Sequence, residues 1–391
     1  MRFLTVITCL FCIAIADIIA GDFSEIDKTV NTGISNSFYP GAQLLIGNEN
    51  NIIYKQNYGN FTYDEFSNIV TDESMFDIAS LTKVVATTTS IMILYNNGRI
   101  DLNEYVSKYI PEFKSNGKDE IKVINLLVHN SGLEAWRPFY KTCSTKEDVL
   151  AEIFEAELNY PIGSKTLYSD LNAVLLGLIV ERITGTSLDK FCMENIFVNL
   201  GMKNSSFNPE ESFKKNILPT ENDAYWRMRQ IQGEVHDETA SLMGGVSGNA
   251  GMFSNATDLY KFMQMMLKEG MYYNVFSRGL KEERMFKPEI VRMFTAKYPE
   301  TNYFNTRALG WETKPEQKRA DVRIPCGELI SENCFGHTGF TGTSIWCDID
   351  RKLIIIFLTN RIYPSRENYG IGTVRPEVHN KAIETASKMN D

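Results

Sequence analysis

The sequence has few histidines and lacks the short motifs that mark several common hydrolase and nucleotide-binding sites. The histidines lie too far apart in the chain to form a local zinc motif such as HExxH. No GxSxG segment is present, so a nucleophile elbow is not supported, and no GxxxxGK[ST] phosphate loop occurs. We therefore expect neither a metal ion nor a cofactor. The histidines are His129, His236, His337 and His379.

Positive charge and long apolar runs are also scarce. The 391 residues carry 40 Lys and Arg against 49 Asp and Glu, and this net charge of −9 argues against a general nucleic-acid binder. The apolar run Phe3–Ala16 is too short to span a bilayer, and Ala14 and Ala16 match a cleavage site. Residues 1–16 are therefore predicted to be a signal peptide of a secreted protein, cleaved near Ala16. An uncleaved anchor or a buried first helix is the alternative. No later run of 18 apolar residues predicts a transmembrane span.

Cysteine is too sparse for a disulfide scaffold. Two of the seven cysteines leave with the predicted signal peptide, and the remaining number is odd. Cys326 and Cys334 flank a short loop and are candidates for a disulfide, whereas buried free thiols are the simpler interpretation. The remaining cysteines are Cys143, Cys192, Cys326, Cys334 and Cys347. Three N-x-S/T sequons are weak candidates for glycosylation: Asn60, Asn204 and Asn255.

Predicted strands lie at both ends of the chain. Ala42–Ile46 and Ile52–Gln56 flank a polar turn and predict one hairpin, and Thr343–Ile349 with Leu353–Thr359 predicts another. The second strand of the later hairpin is apolar throughout, as expected of a strand that is covered on both faces. The fold class is thus α/β (α+β), with an antiparallel sheet from N- and C-terminal segments and an inserted helical region. We expect a single domain over residues 17–391, with sheet regions at about 22–80 and 290–391 and helices at about 81–289.

Helical periodicity fills the middle of the chain and recurs at its ends. Phe23–Ser35 predicts a first helix, and Leu171–Ile183 predicts a buried helix that stops at Gly185. A further helix follows the capping candidate Asn255. Pro376 is predicted to open the last helix.

The spacing S-x-x-K occurs four times, so only sequence context can distinguish one serine from the others. Ser80 stands between an apolar approach, Met75–Ala79, and an apolar helix, Val84–Tyr95. The other three lie in a polar loop, at a helix N-cap and in a charged stretch: Ser115, Ser187 and Ser212.

The position of Ser80 has a chemical rationale. The positive end of the helix dipole favours negative charge that develops on its oxygen. Lys83 projects from the same face one turn later and can reach the hydroxyl. Burial is predicted to lower the pKa of Lys83, so that a neutral amine accepts the serine proton. An N-cap serine beside a surface lysine is the open alternative.

Residues 76–83, FDIASLTK, closely resemble the nucleophile motif of the class C β-lactamase and D-Ala-D-Ala carboxypeptidase superfamily (peptidase family S12) of serine hydrolases. Further motifs occur in the family's order. Residues 126–133, LLVHNSGL, resemble its LLxHxSGL segment, Tyr168-Ser169-Asp170 its Tyr-x-Asn box, and His337-Thr338-Gly339 its Lys/His-Thr-Gly box. The resemblance spans about residues 40–390 and implies a β-lactamase/transpeptidase-like fold.

The resemblance also implies roles for individual residues. Ser80 is expected to attack a carbonyl and form an acyl-enzyme, while Lys83 keeps the serine deprotonatable. Tyr168 is expected to take the serine proton and return it to the leaving group. The backbone N–H groups of Ser80 and Phe340 are expected to form the oxyanion hole, since Phe340 follows the third box.

Two residues depart from the family pattern at positions expected to bind substrate. Asp170 replaces the usual asparagine, and a carboxylate only accepts hydrogen bonds. His337, which Thr338 and Gly339 follow, replaces the lysine that helps to hold the carboxylate in β-lactam-binding members, and histidine is at most partly charged at neutral pH. Both changes weaken the prediction of penicillin recognition.

One more segment resembles a bacterial subgroup of the superfamily, which includes muropeptide amidases. Residues 235–240, VHDETA, and 244–254, GGVSGNAGMFS, resemble its pattern VHDENA…GGVAGHAGLFS, with Asn249 in place of a histidine. His236 and Asp237 are therefore candidates for shaping the pocket, with a purely structural loop as the alternative.

These features predict a secreted serine hydrolase that cleaves amide or ester bonds through a Ser80 acyl-enzyme. The expected partner is a small-molecule or peptide substrate, of the D-amino-acid or cell-wall type. A carboxylesterase or β-lactamase of the same fold is one alternative. A non-catalytic binding or regulatory protein on this scaffold is another.

Overall fold

The main sheet of the computed structural model combines both ends of the chain. The structure describes residues 22–274, 281–299, 307–315 and 324–389, so the predicted signal peptide lies outside the described residues. The strand order in the main sheet is β10-β11-β12-β1-β2, and its neighbouring strands pair antiparallel. Because β1 pairs with β12, the N-terminal and C-terminal hairpins form one continuous sheet.

Strands in the described residues are given in chain order. They are β1 (Gly41–Asn48), β2 (Ile52–Gly59), β3 (Phe76–Asp77), β4 (Ser206–Phe207), β5 (Asn222–Asp223), β6 (Arg229–Gln230), β7 (Met252–Ser254), β8 (Met271–Asn274), β9 (Lys281–Arg284), β10 (Cys334–Thr338), β11 (Ser344–Asp348) and β12 (Leu353–Thr359). A small second sheet has the order β3-β7-β4.

Most α-helices of the described residues lie, in chain order, between the N-terminal hairpin β1–β2 and the C-terminal strands β10–β12. They are α1 (Ser24–Ser35), α2 (Thr89–Asn96), α3 (Val106–Tyr109), α4 (Val123–Leu127), α5 (Lys146–Glu155), α6 (Asp170–Thr184), α7 (Leu188–Cys192), α8 (Val198–Leu200), α9 (Glu238–Leu242), α10 (Ala256–Leu267), α11 (Pro288–Thr295) and α12 (Ile371–Lys388). Segments Lys83–Thr88 and Met193–Phe197 are π-helical, and Lys118–Glu120, Phe139–Lys141 and Glu211–Asn216 are 3₁₀-helical.

The strand β12 separates two halves of the core. Its residues Ile354, Ile356 and Leu358 pack with the inserted helices, whereas Ile355 and Phe357 pack with α1 and α12. This alternation buries every residue of β12, as the apolar run predicts. The predicted fold class, an antiparallel sheet flanked by helices, is confirmed.

The two hairpins, the first helix and the buried helix α6 lie where the sequence places them, and Gly185 ends α6 with φ +70°. Pro376 does not open the last helix, so that prediction is wrong. The helix begins at Ile371, because Ile371 and Val374 are buried beside Val378 and extend its apolar face toward the N-terminus. Pro376 therefore lies inside α12.

The cysteines and sequons acquire definite environments. The remaining cysteines are all buried and free, so Cys326 and Cys334 are not bridged. Asn255 is 1% exposed: its side-chain oxygen accepts from the N–H of Asp258 at 2.9 Å and its amide donates to the carbonyl of Asp72 at 2.8 Å.

Within the described part of the chain, no single helix is long and apolar enough to cross a membrane. Helix α6 and Leu188–Leu200 pass that test only together, as a pair bent by 77°.

Candidate active site

The turn that leads to Ser80 is held by Asp77, the last residue of β3. The carboxylate of Asp77 accepts a hydrogen bond from the N–H of Ala79 at 2.8 Å and from the N–H of His236 at 2.7 Å. Ala79 has φ +46°, a conformation that is costly for an alanine and that places Ser80 at the start of the following helix. Asp77 thus joins the nucleophile turn to the VHDETA segment.

The third motif packs directly against this turn. Thr343 donates its side-chain hydroxyl to the carbonyl of Ile78 at 3.1 Å. A Cβ at Gly339 would lie 2.1 Å from the hydroxyl oxygen of Thr343 and 2.6 Å from the carbonyl oxygen of Ile78. Only glycine fits between β10 and the nucleophile turn, which brings the adjacent Phe340 to Ser80.

Lys83 lies at the centre of the site and is 4% exposed. Its ammonium nitrogen is 3.0 Å from Oγ of Ser80, 2.9 Å from the carbonyl oxygen of Asn249 and 2.7 Å from Oδ1 of Asp170. The predicted proximity of Ser80 and Lys83 is therefore present in the structure. Asp170 begins α6, so the second motif is brought to the first by a buried helix.

The prediction that burial lowers the pKa of Lys83 is wrong. Burial is the largest single influence and does disfavour the charge, but the carboxylate of Asp170 and the neighbouring Tyr168 outweigh it. Together they raise the pKa of Lys83 above its ordinary value. Burial alone gives the wrong sign because Lys83 forms an ion pair with Asp170, and residues so far apart in the chain leave no local pattern.

Tyr168 and His337 stand beside this pair, with their ring centroids 5.8 Å apart. The hydroxyl of Tyr168 is buried and has no hydrogen-bond partner, and burial raises its pKa although the charge of Lys83 opposes that effect. His337 is 1% exposed, and burial lowers its pKa to about 4, so it is neutral at pH 7. Its Nδ1 is 2.8 Å from the carbonyl oxygen of Thr338, and its Nε2 has no partner.

A cleft of about 320 Å³ opens above these groups. Six of the residues singled out in the sequence line it: Ser80, Tyr168, Asp170, His236, Asp237 and Phe340. His337, Thr338 and Gly339 do not line the cleft. The ring of His337 packs beside that of Tyr168, and Gly339 contacts the nucleophile turn. Burial, followed by the charge of Asp170, raises the pKa of Asp237 to about 6.

One wall of the cleft contains a charged network that sequence reasoning missed. The guanidinium of Arg366 donates to the carboxylate of Glu221 at 2.7 Å and to that of Glu238 at 2.9 Å. The ring Nε2 of His236 lies 2.8 Å from Glu221. Burial alone would raise the pKa of Glu221, but the hydrogen bonds from His236 and Arg366 lower it to about 2. Trp136, Glu238 and Arg366 also line the cleft. Of these three residues, only Glu238 belongs to a segment that the sequence singles out, VHDETA.

Comparison with known proteins agrees with this geometry. The model of the beta-lactamase family matches residues 26–375. The chain belongs to the beta-lactamase family. Members of this family are serine hydrolases. Among the residues that the structure describes, no cluster of three or more His, Cys, Asp or Glu could hold a metal ion.

Relatives and solved structures can be compared over most of the chain. The chain is 35% identical over 369 residues to the N-acetylmuramyl-L-alanine amidase of Bacillus subtilis (strain 168), over 86% of this chain and 80% of that protein. An octameric penicillin-binding protein homologue from Pyrococcus abyssi shares the fold with a TM-score of 0.69 at 21% identity, over 91% of this chain and 76% of that one. A penicillin-binding protein homologue from Caulobacter crescentus has a TM-score of 0.71 at 17% identity, over 93% and 97% of the two chains. These two likenesses show the fold alone.

Proposed function

We propose that the protein is an exported serine amidase or peptidase that acts on D-amino-acid or cell-wall-type peptides through an acyl-enzyme on Ser80. The observation that carries this proposal is the contact between Oγ of Ser80 and the ammonium of Lys83 at the base of the cleft, beside the unpartnered hydroxyl of Tyr168. A buried donor and an unpartnered phenol next to a cleft-lining serine are the parts that acyl transfer needs.

In the proposed acylation step, Oγ of Ser80 forms a bond to the substrate carbonyl carbon while its proton passes to the hydroxyl oxygen of Tyr168, which gives its own proton to the leaving nitrogen or oxygen. The N–H groups of Ser80 and Phe340 stabilise the negative charge on the carbonyl oxygen. The C–N or C–O bond then breaks and the protonated leaving group departs, while Tyr168 is again a neutral phenol. Water subsequently hydrolyses the acyl-enzyme and regenerates Ser80.

Amides and esters are favoured over β-lactams by the charge around the cleft. The lysine that holds a substrate carboxylate in β-lactam-binding members is replaced by His337, which is buried and neutral. Nε and Nη2 of Arg366 are already bonded to Glu221 and Glu238. The relative from Bacillus subtilis is named an N-acetylmuramyl-L-alanine amidase, and this supports a muramyl peptide as the substrate.

Turnover of a matched panel tests the proposal: a muramyl peptide, a D-alanyl peptide, a p-nitrophenyl ester and nitrocefin. We expect the amide or ester substrates to be hydrolysed and nitrocefin to be turned over poorly. Lys83→Arg should fold but lose turnover, because a guanidinium is planar and larger and cannot make the same three contacts. Ser187→Ala, in a second S-x-x-K sequence, serves as the matched control and should be fully active. Efficient nitrocefin turnover with inert peptides would identify a β-lactamase instead.

Export follows from the predicted signal peptide, residues 1–16, and is part of the same proposal. Expression of the full chain in a secretory host tests it. We expect mature protein in the medium, with its N-terminus close to Asp17. Protein retained in the cell with residues 1–16 intact would refute export while leaving the hydrolase chemistry untouched.

A further inference from the structure

Asp170 sets this site apart from the family pattern, in which an asparagine occupies the second box. An asparagine at this position is neutral, whereas Asp170 forms an ion pair with Lys83 at 2.7 Å. The pair is well shielded from water, since the side chain of Lys83 is 4% exposed and that of Asp170 is 18% exposed. The adjacent carboxylate favours the charged form of Lys83.

The contacts of Lys83 match the three donors of an ammonium. An ammonium has three N–H donors, and three acceptors surround Nζ: Oγ of Ser80, the carbonyl oxygen of Asn249 and the carboxylate of Asp170. A neutral amine has two donors and one lone pair, so it would have to donate to Asn249 and Asp170 and accept from the hydroxyl of Ser80. The 2.7 Å contact with a carboxylate favours the ammonium over that arrangement, because the opposite charge stabilises the protonated lysine.

The other titratable groups around Lys83 do not replace Asp170. The phenol of Tyr168 is neutral at pH 7 because burial raises its pKa. His129 and His337 are also neutral there, since burial lowers the pKa of both. Arg307 is 3.3 Å from Glu312, which offsets its charge. Asp237 interacts with Asp170, and its Oδ1 accepts from the side-chain amide of Asn249 and the backbone N–H of Ala240.

We propose that Asp170 is a positioning residue that holds Lys83 as an ammonium throughout acylation, so that the proton of Ser80 leaves through Tyr168 and not through Lys83. Lys83 then acts as a fixed positive charge beside the serine oxygen. The part that concerns proton transfer rests on the proposed function, whereas the charge state of Lys83 does not.

The charge state is tested without any substrate. Protein labelled with [13Cε]lysine reports protonation of Lys83 by NMR, with the signal assigned through Lys83→Arg. In the wild type we expect the ammonium shift to persist to at least about pH 10. In Asp170→Asn the midpoint should fall by one pH unit or more, as removal of an adjacent opposite charge typically causes, while Asp170→Glu should behave as the wild type. Glu181→Gln removes a 2.9 Å ion pair with Lys146 elsewhere on α6 and should leave the Lys83 signal unchanged. A wild-type midpoint near neutrality would overturn the proposal, even if Asp170→Asn failed to fold.

The proton route is tested by fluorophosphonate labelling of Ser80 at pH 8. Tyr168→Phe should be labelled at least about a hundredfold more slowly than the wild type. In Asp170→Asn/Tyr168→Phe, Lys83 is free to deprotonate, and labelling should recover by about tenfold or more over Tyr168→Phe alone. Equal rates in these two variants, or no loss in Tyr168→Phe, would contradict the proposed route. A wild type that is not labelled at all would instead refute the proposed function and leave the NMR result standing.

Discussion

Glu221, which belongs to the charged network in the wall of the cleft, is expected to make the free energy of unfolding depend on pH. Burial alone would raise the pKa of Glu221, but hydrogen bonds from His236 and Arg366 lower it from its ordinary value of 4.5 to about 2. Because one pH unit corresponds to about 1.4 kcal/mol, ionised Glu221 contributes about 3 kcal/mol to the free energy of unfolding at pH 7. A depressed carboxyl pKa stabilises the fold above the unfolded-state value near 4.5, and this contribution is lost as the pH falls toward 2.

The assay compares denaturant unfolding of the wild type and Glu221→Gln from pH 7 to pH 3. Carboxyl groups outside this network titrate alike in the two proteins, so the difference reports on Glu221 and its hydrogen-bond partners. We expect the difference in unfolding free energy between the wild type and Glu221→Gln to narrow by about 2 kcal/mol from pH 7 to pH 3, since most of the stabilisation by ionised Glu221 is lost over this range. Glu49→Gln, which breaks an exposed pair with Lys352, is the control and should show no such trend. A gap that stays constant with pH would refute the reasoning.

Three further predictions concern the turn, its anchor and a sequon. Gly339→Ala should lower the melting temperature and abolish fluorophosphonate labelling of Ser80, because no space exists for a Cβ. Gly372→Ala, with open space around it, should do neither. An unchanged melting temperature in Gly339→Ala would refute the packing. Asp77→Ala leaves two buried N–H donors without an acceptor. It should therefore lower the free energy of unfolding by about 2–4 kcal/mol and slow the labelling of Ser80. A loss below about 1 kcal/mol would contradict this prediction. In a glycosylating host, mass spectrometry of tryptic peptides should find Asn255 unmodified, because its side chain is buried and bonded, and a glycan there would contradict the structure.

The sequence predicts the fold well because its apolar patterns are strong and local. The β12 run and the α6 run each require burial on most sides, and both elements occur as expected. The start of α12 is not predictable in the same way. Proline favours the first turn of a helix, but tertiary burial of Ile371 and Val374 extends the helix past that signal.

The site is predicted in its residues but not in its electrostatics. Motif order identifies Ser80, Lys83 and Tyr168, whereas the charge of Lys83 depends on a carboxylate 87 positions away in sequence and 2.7 Å away in space. The same limitation applies to Arg366, which lies outside the motifs and reaches the cleft only because the loop after β12 folds back onto the VHDETA segment. Pairings of this kind arise from the tertiary structure and leave no local pattern.

The most direct test of the central claim is to trap and locate the acyl-enzyme. The wild type is mixed with a muramyl peptide or a D-alanyl ester, quenched in acid within milliseconds, digested and mapped by mass spectrometry. We predict the added mass of the acyl group on Ser80 in the wild type and no adduct in Ser80→Ala. An adduct that persists in Ser80→Ala, or turnover that survives this substitution, would contradict the account.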